Sequence, residues 1–367
     1  MFVGHALLAF ALATLFADWR GWPARQALAL GLVAGAFAAI PDVDMIYTAV
    51  ALDVSRLSAE TLTRPGVFWD ASRAVHRSIT HSLLVALAAG PAFGAWAAGA
   101  STSRRWLAVR TVASLLLASL VWAAWTYSGF AGAIVVGTFV AVGLALARLT
   151  RTRTDLSGMT VAIAATAGLL SHPWGDLVTG DPPRLLYPLD VQVFEQTVLL
   201  HADPTIHLLG AFALELGVIW LATIAVARVA NRSPLALLDR RAGVGIAYGV
   251  TAIVLVPPTL DVSYHFVFTI LGVGAATGAL AMFPGSLSGL VGRLRRQGHN
   301  LSIGGLDGPR CWLRLSWRGS PRLCIPAVNF GQLLDRYPSP FEAFFAALGS
   351  VTVALCSYGV IYILFVA

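Results

Sequence analysis

Apolar runs separated by short polar connections fill most of the chain, and they predict helices near 2–17, 26–41, 79–99, 106–127, 129–148, 157–172, 205–228, 242–258, 262–283 and 342–366. A bilayer span needs about 20 apolar residues, a length these runs reach or approach. The second and sixth are short and rich in Ala and Gly, which suits the interior of a bundle where small residues let helices approach closely. The pattern changes twice. Loops at 45–75 and 173–204 are polar and hold eight of the 18 acidic residues, and 284–340 has no apolar run of spanning length. Within that last segment "CWLRLSWRGSPRLCIP" alternates apolar and polar positions on either side of Gly319-Ser320-Pro321, the pattern of a short hairpin.

Composition supports the membrane reading: 57% of residues are hydrophobic and only 12% charged, against roughly 25% charged in soluble domains. The fold class expected is all-α, a polytopic membrane helix bundle of about ten spans with a small hairpin-like insertion. The expected organisation is a metal-site membrane domain over 1–190, accessory helices over 191–283, a basic loop over 284–340 and a C-terminal helix over 341–367. Leu7 to Phe16 resembles the apolar core of a secretory signal, but no basic leader precedes it and Arg20 and Arg25 follow it, so it is expected to stay as the first span.

All 25 basic residues are Arg. With ten spans, 20 of them share one face: Arg20, Arg25, Arg104, Arg105, Arg110, Arg148, Arg151, Arg153, Arg228, Arg232, Arg240, Arg241 and the eight from Arg293 to Arg336. Arg56, Arg64, Arg73, Arg77 and Arg184 fall on the other. The positive-inside rule then makes the Arg-rich face cytoplasmic and puts both termini outside a cell membrane. Orientation and anionic lipid account for the net charge of +7 without any nucleic-acid partner. Cys311, Cys324 and Cys356 form no framework and carry no expected chemistry.

The same topology sorts the histidines. His5, His76, His81, His172, His201, His207 and His265 fall at outer span ends or outer loops, leaving only His299 inside. Asp42 and Asp44 close the second run in "IPDVDM", and Asp176 follows His172 in "SHPWGD". Each piece has a plain reading: His5 as a cap or interfacial residue, "PDVD" as a turn, His172 and Asp176 as a pair four apart on a short helix started by Pro173. Together they place carboxylates and imidazoles from four spans on one side, where intramembrane ionisable groups call for pairing, a wet cavity or function. Imidazoles and carboxylates without thiolate suit zinc, with manganese or iron as alternatives, and seven donors would serve two ions better than one. In "VHRSITHSLL" His76 belongs in the loop and His81 in the first helical turn, capped by Ser78 or Thr80, with Arg77 suited to a phosphate or an interfacial salt bridge. His201, Asp203, His207, Asp261 and His265 read as interfacial residues or as a supplementary ligand or relay.

Gly4-His5, "PDVD" (Pro41 to Asp44), "HRSITHS" (His76 to Ser82) and "HPWGDLVTGDPPRLLYP" (His172 to Pro188) together resemble the membrane-bound metal-dependent hydrolases of the YdjM, or LexA-binding inner-membrane hydrolase, type. The resemblance covers roughly 1–190. It extends distantly to zinc-dependent phospholipase C and related nucleases. It implies phosphoester hydrolysis, with His5, Asp42 or Asp44, His76, His81, His172 and Asp176 as the metal shell. No motif for a LexA partner is present. The expectation is a metal-dependent hydrolase at the outer face acting on a lipid or lipid-linked phosphoester that reaches the site laterally. In it Arg77 and Thr80 contact substrate, and Asp42 or Asp44 bridges ions or acts as general base. The rival is a non-enzymatic protein that binds or transports metal.

Overall fold

A computed structural model describes residues 2–45, 77–98, 103–233, 239–260, 262–282, 311–315, 323–326 and 340–367. His76 and Asp261 lie outside the described residues. The chain divides into two compact units, Met1–Pro234 and Leu235–Ala367.

The first unit contains α1 (Phe2–Trp19), α2 (Ala24–Ala39), α3 (Leu83–Ala97), α4 (Arg104–Arg153), α5 (Gly158–Ser171) and α6 (Pro204–Val229). Short 3-10 segments at Ile40–Met45, Ile79–His81 and His172–Val178 extend α2, precede α3 and extend α5. Two of them are led by proline. Pro41 and Pro173 cannot donate the backbone bond that would continue α2 or α5 as regular helix, and each chain end tightens into a 3-10 run that carries acidic residues. The short helix expected to start at Pro173 is the second of these.

A straight helix over the 50 residues of α4 would be about 75 Å long and hold Arg110 and Arg148 about 57 Å apart. Both nevertheless meet Trp96 at the end of α3: the Arg110 guanidinium lies 5.7 Å from the Trp96 ring, and Arg148 lines a cleft with it. The chain therefore doubles back. The reversal is at Gly129, whose φ of 63° and ψ of −155° are readily adopted only without a Cβ. This break separates the two runs predicted at 106–127 and 129–148.

Beneath the 3-10 segments, Phe37 of α2, Phe93 of α3 and Phe139 of the second limb of α4 stack with centroids 5.5 and 5.9 Å apart. Ala162 and Thr166 of α5 press against Gly90 and Gly94 of α3, the close approach that small residues permit. At one end of the unit lie Arg110, Arg148 and Arg151 beside Trp96, and Arg228, which pairs with Asp18 at 3.1 Å. His5, Asp42, His81 and His172 lie at the other.

The second unit holds a 3-10 run (Arg240–Val250), α7 (Thr251–Val254), α8 (Tyr264–Met282), α9 (Pro340–Phe365) and an antiparallel pair of strands, β1 (Cys311–Leu315) and β2 (Leu323–Pro326). Leu313 pairs with Ile325, Arg314 with Cys324 and Leu315 with Leu323, on either side of the predicted turn. Tyr248, Phe266 and Tyr358 pack together, and Thr277 of α8 donates to Ser350 of α9 at 3.0 Å.

Among the described residues the regular structure is thus helical apart from this one strand pair. Among the described residues, five helical segments are long and apolar enough to cross a membrane: Ala24–Met45, Arg104–Arg153, Pro204–Val229, Tyr264–Met282 and Phe341–Phe365. Val3–Trp19 and Leu83–Ala97 are apolar but shorter. The count of ten spans is not confirmed; the run expected at 242–258 forms a 3-10 segment and a single α-helical turn.

Candidate metal centre

The three 3-10 segments and the start of α1 bring His5, Asp42, Asp44, His81, His172 and Asp176 together, all buried except Asp42, which is partly exposed. The Nε2 atoms of His81 and His172 are 2.9 Å apart. Around them, Asp42 Oδ1 lies 3.4 Å from His172 Nε2 and 3.8 Å from His81 Nε2, and Asp176 Oδ2 lies 3.2 Å from His81 Nε2 and 3.7 Å from His172 Nε2. His5 Nε2 approaches the other oxygen of Asp176 at 3.4 Å.

The far ring atoms set the tautomers. His172 Nδ1 is 2.6 Å from the Ala38 carbonyl oxygen, which can only accept, so the proton sits on Nδ1 and Nε2 carries a lone pair. For His81, Thr80 Oγ1 donates to Asp44 Oδ2 at 3.0 Å and lies 3.0 Å from His81 Nδ1, while Asp44 Oδ2 is 3.4 Å from the same nitrogen. Two acceptors face that nitrogen, so it too is the protonated one. His81 and His172 thus turn their Nε2 lone pairs toward each other and toward Asp42 and Asp176. Asp176 Oδ2 is buried with no hydrogen-bond partner among the described residues. Lone pairs crowded at these distances repel unless a cation lies among them.

The donor set fits one. Zinc bonds to N and O of about 2.0–2.1 Å give tetrahedral edges of about 3.3 Å, and the donor separations quoted above run from 2.9 to 3.8 Å. Two overlapping triads, His5–His172–Asp176 and Asp42–His81–His172, can each hold a metal ion.

Asp44 takes a different place. Successive residues of a 3-10 helix are about 120° apart, so Asp42 and Asp44 point in different directions. Asp42 faces the imidazoles; Asp44 Oδ2 accepts from Thr80 Oγ1 and from the backbone N–H of Arg77 at 3.2 Å, behind His81. Arg77 is likewise committed to the protein. Its guanidinium donates to the carbonyl oxygens of Asp176 and Asp181 at 3.3 and 3.0 Å and to Thr179 Oγ1 at 3.4 Å, and it pairs with Asp176 Oδ1 at 3.2 Å. Its backbone has φ of 63°, a strained value for a residue with a side chain. Burial alone would raise the Asp176 carboxyl, but its neighbours, His5 and the Arg77 guanidinium among them, hold it below the usual carboxylate range.

The helix cap differs from expectation. Ser82, rather than Ser78 or Thr80, caps α3, accepting from the N–H groups of Leu84 and Val85. Its own hydroxyl donates to Tyr187 O at 2.7 Å, and His81 therefore precedes the helix. Thr80 is drawn inward to Asp44. His76 lies outside the described residues. His207 accepts from Leu200 N–H and Asp203 caps α6 through Ile206 N–H, local roles away from the six clustered side chains.

Two contributors were missed in the sequence. The Ala38 carbonyl leaves no side-chain signal. Gly175 does, as the small residue within "HPWGD": a Cβ there would lie 2.5 Å from His5 Cε1, so the imidazole rests directly on the backbone.

The model of the YdjM inner membrane protein family matches residues 1–257. The chain belongs to this family. The match extends past the motif-bearing 1–190 through α6 and into the second unit, so the YdjM relationship covers more than the metal-site helices. No curated protein and no solved structure gives a significant match.

Proposed function

We propose that this YdjM-family membrane protein is a metal-dependent hydrolase whose buried His/Asp centre acts on the phosphoester of a lipid or lipid-linked substrate at the outer membrane face. The observation that carries the reading is the facing pair of Nε2 lone pairs on His81 and His172, closed in by Asp42 and Asp176. His5, Asp42, His81, His172 and Asp176 would hold the metal, with zinc the first choice and manganese or iron as alternatives. When bound, a divalent ion supplies Lewis-acid chemistry, acidifying a water and stabilising charge on phosphoester oxygens.

The chain's own residues do the rest. Ala38 O fixes the tautomer of His172, and the Thr80–Asp44 pair fixes that of His81, the orienting role that partners of metal-binding histidines commonly play. Arg77 holds Asp176 in place. Asp42, the one partly exposed carboxylate of the group, is suited to accept a proton from an attacking water. Thr80 and Arg77 thus become positioning residues in this scheme, and Asp44 an orienting carboxylate.

Arg110, Arg148, Arg151 and Arg228 cluster at the end opposite the site, and the positive-inside rule supports placing that end in the cytoplasm and the site outside. Transport would favour donors in broken helices near the bilayer midplane. The cluster instead gathers where α1 and α3 begin and α2 and α5 end, which favours hydrolysis. The test is cleavage of a chromogenic phosphodiester or phosphatidyl substrate by purified protein loaded with zinc or manganese. His81→Ala and His172→Ala should abolish it; cleavage unchanged in both would overturn the assignment.

A further inference from the structure

The Arg-rich end of the first unit holds a cleft that the hydrolytic centre does not use. Trp96, in the last turn of α3, forms one wall, Leu144 and Ala145 of α4 form the floor, and Arg148 and Arg151 complete the lining around about 240 Å³. Being three apart, the two arginines share a face of the helix. Neither makes an ion pair or hydrogen bond among the described residues. Arg110 adds a third cation from the first limb of α4. Its guanidinium lies over the Trp96 ring and donates to Ala98 O at 2.7 Å, so this charge is fixed in place. Exposed Trp106, Leu107 and Leu149 on the surrounding helices show that the neighbouring surface is apolar.

We propose that this cleft binds the headgroup of an anionic phospholipid, with the phosphate held by Arg148 and Arg151 and the upper acyl chain lying against Trp96 and Leu144. Two features select that ligand. Planar guanidiniums match phosphate oxygens and are left without a carboxylate, so charge complementarity requires an anion. The apolar floor favours one with a hydrocarbon tail over a fully hydrated anion, as in basic pockets between membrane helices that hold acidic lipid headgroups. The volume accommodates a phosphate and the first few chain carbons, leaving the remaining tail along the outer face of α4. This inference stands apart from the hydrolytic reading, since it involves none of that site's residues.

The experiment uses the full-length protein in nanodiscs and in detergent. Native mass spectrometry after delipidation and controlled addition should show phosphatidylglycerol retained at least tenfold over phosphatidylcholine, with a matching rise in melting temperature. Arg148→Gln/Arg151→Gln should lose both effects. Ala145→Trp fills the floor while keeping every charge and should lose them too, which guards against misfolding of the double variant. Arg104→Gln/Arg105→Gln, which removes the same charge elsewhere at this end, should keep them. Equal retention of the two lipids, unchanged retention in both cleft variants, or equal loss in the control would overturn the proposal. Inorganic phosphate that reproduces the full thermal shift would also overturn it, by showing a soluble-anion site.

Discussion

Thr80 stands between Asp44 and His81, its hydroxyl 3.0 Å from Asp44 Oδ2 and 3.0 Å from His81 Nδ1. This makes the hydroxyl a relay that takes the ring proton on one side and gives its own on the other. The direction of His81's lone pair thus depends on a residue that is not itself among the facing donors.

Thr80→Val keeps the shape of the side chain and removes the relay. Metal affinity is expected to fall by about 10–100-fold, the usual cost of losing an orienting partner, while Thr80→Ser retains it. Isothermal titration of the purified apoprotein with zinc measures both; equal affinity in Thr80→Val would remove the relay from the account.

Metal removal should loosen the first unit. With the lone pairs of His81, His172, Asp42 and Asp176 left facing one another, chelator treatment is expected to lower the melting temperature, and zinc to restore it. In His172→Ala the chelator should have little further effect. A chelator shift of wild-type size in that variant would place the ion elsewhere.

Arg77→Lys preserves charge but loses the planar fork that reaches Asp176, Thr179 and Asp181 together. Both metal affinity and kcat should fall with little change in KM, the pattern expected of a residue that positions Asp176. A rise in KM alone would restore the substrate-binding role.

Gly175→Ala would place a methyl 2.5 Å from the His5 ring and force the imidazole or the 172–178 segment to shift. Overpacking of this kind costs about 1–3 kcal/mol. Metal content by elemental analysis should fall; full content at wild-type stability would show that His5 contributes nothing.

Ser82→Ala removes the cap of α3 and the bond to Tyr187 O. It should lower stability by about 0.5–2 kcal/mol, as losses of helix caps do, while leaving metal stoichiometry intact. This separates Ser82 from its neighbour Thr80, which two hydroxyls in one short motif do not reveal by composition.

What could be read in the chain follows from the physics each feature obeys. His5, Asp42, His81, His172 and Asp176 were identifiable because ionisable side chains are rare among apolar runs, and their agreement on one end was visible once helices were counted. The roles of Asp42 and Asp44 were not separable. Their spacing has one meaning in an α-helix and another in the 3-10 turn that Pro41 imposes. Arg77 read as an anion binder because its chemistry suits phosphate, yet its partners are Asp176, Asp181 and Thr179 from a segment about a hundred residues later, which no local pattern announces. The doubling back at Gly129 was anticipated by the gap between two apolar runs, whereas the number of runs that span the membrane was not fixed by hydropathy, as the 3-10 stretch at Arg240–Val250 shows.

The turn at Gly129 also sets a distance scale. Each limb of α4 has about 25 residues and rises roughly 37 Å, slightly more than a hydrocarbon core of about 30 Å. Because both limbs return to Trp96, they act as two struts of equal length between the guanidinium cluster and the imidazole cluster. A lipid phosphate gripped at one end and a phosphoester attacked at the other would therefore belong to different leaflets, and the protein would touch both monolayers without moving either ligand across.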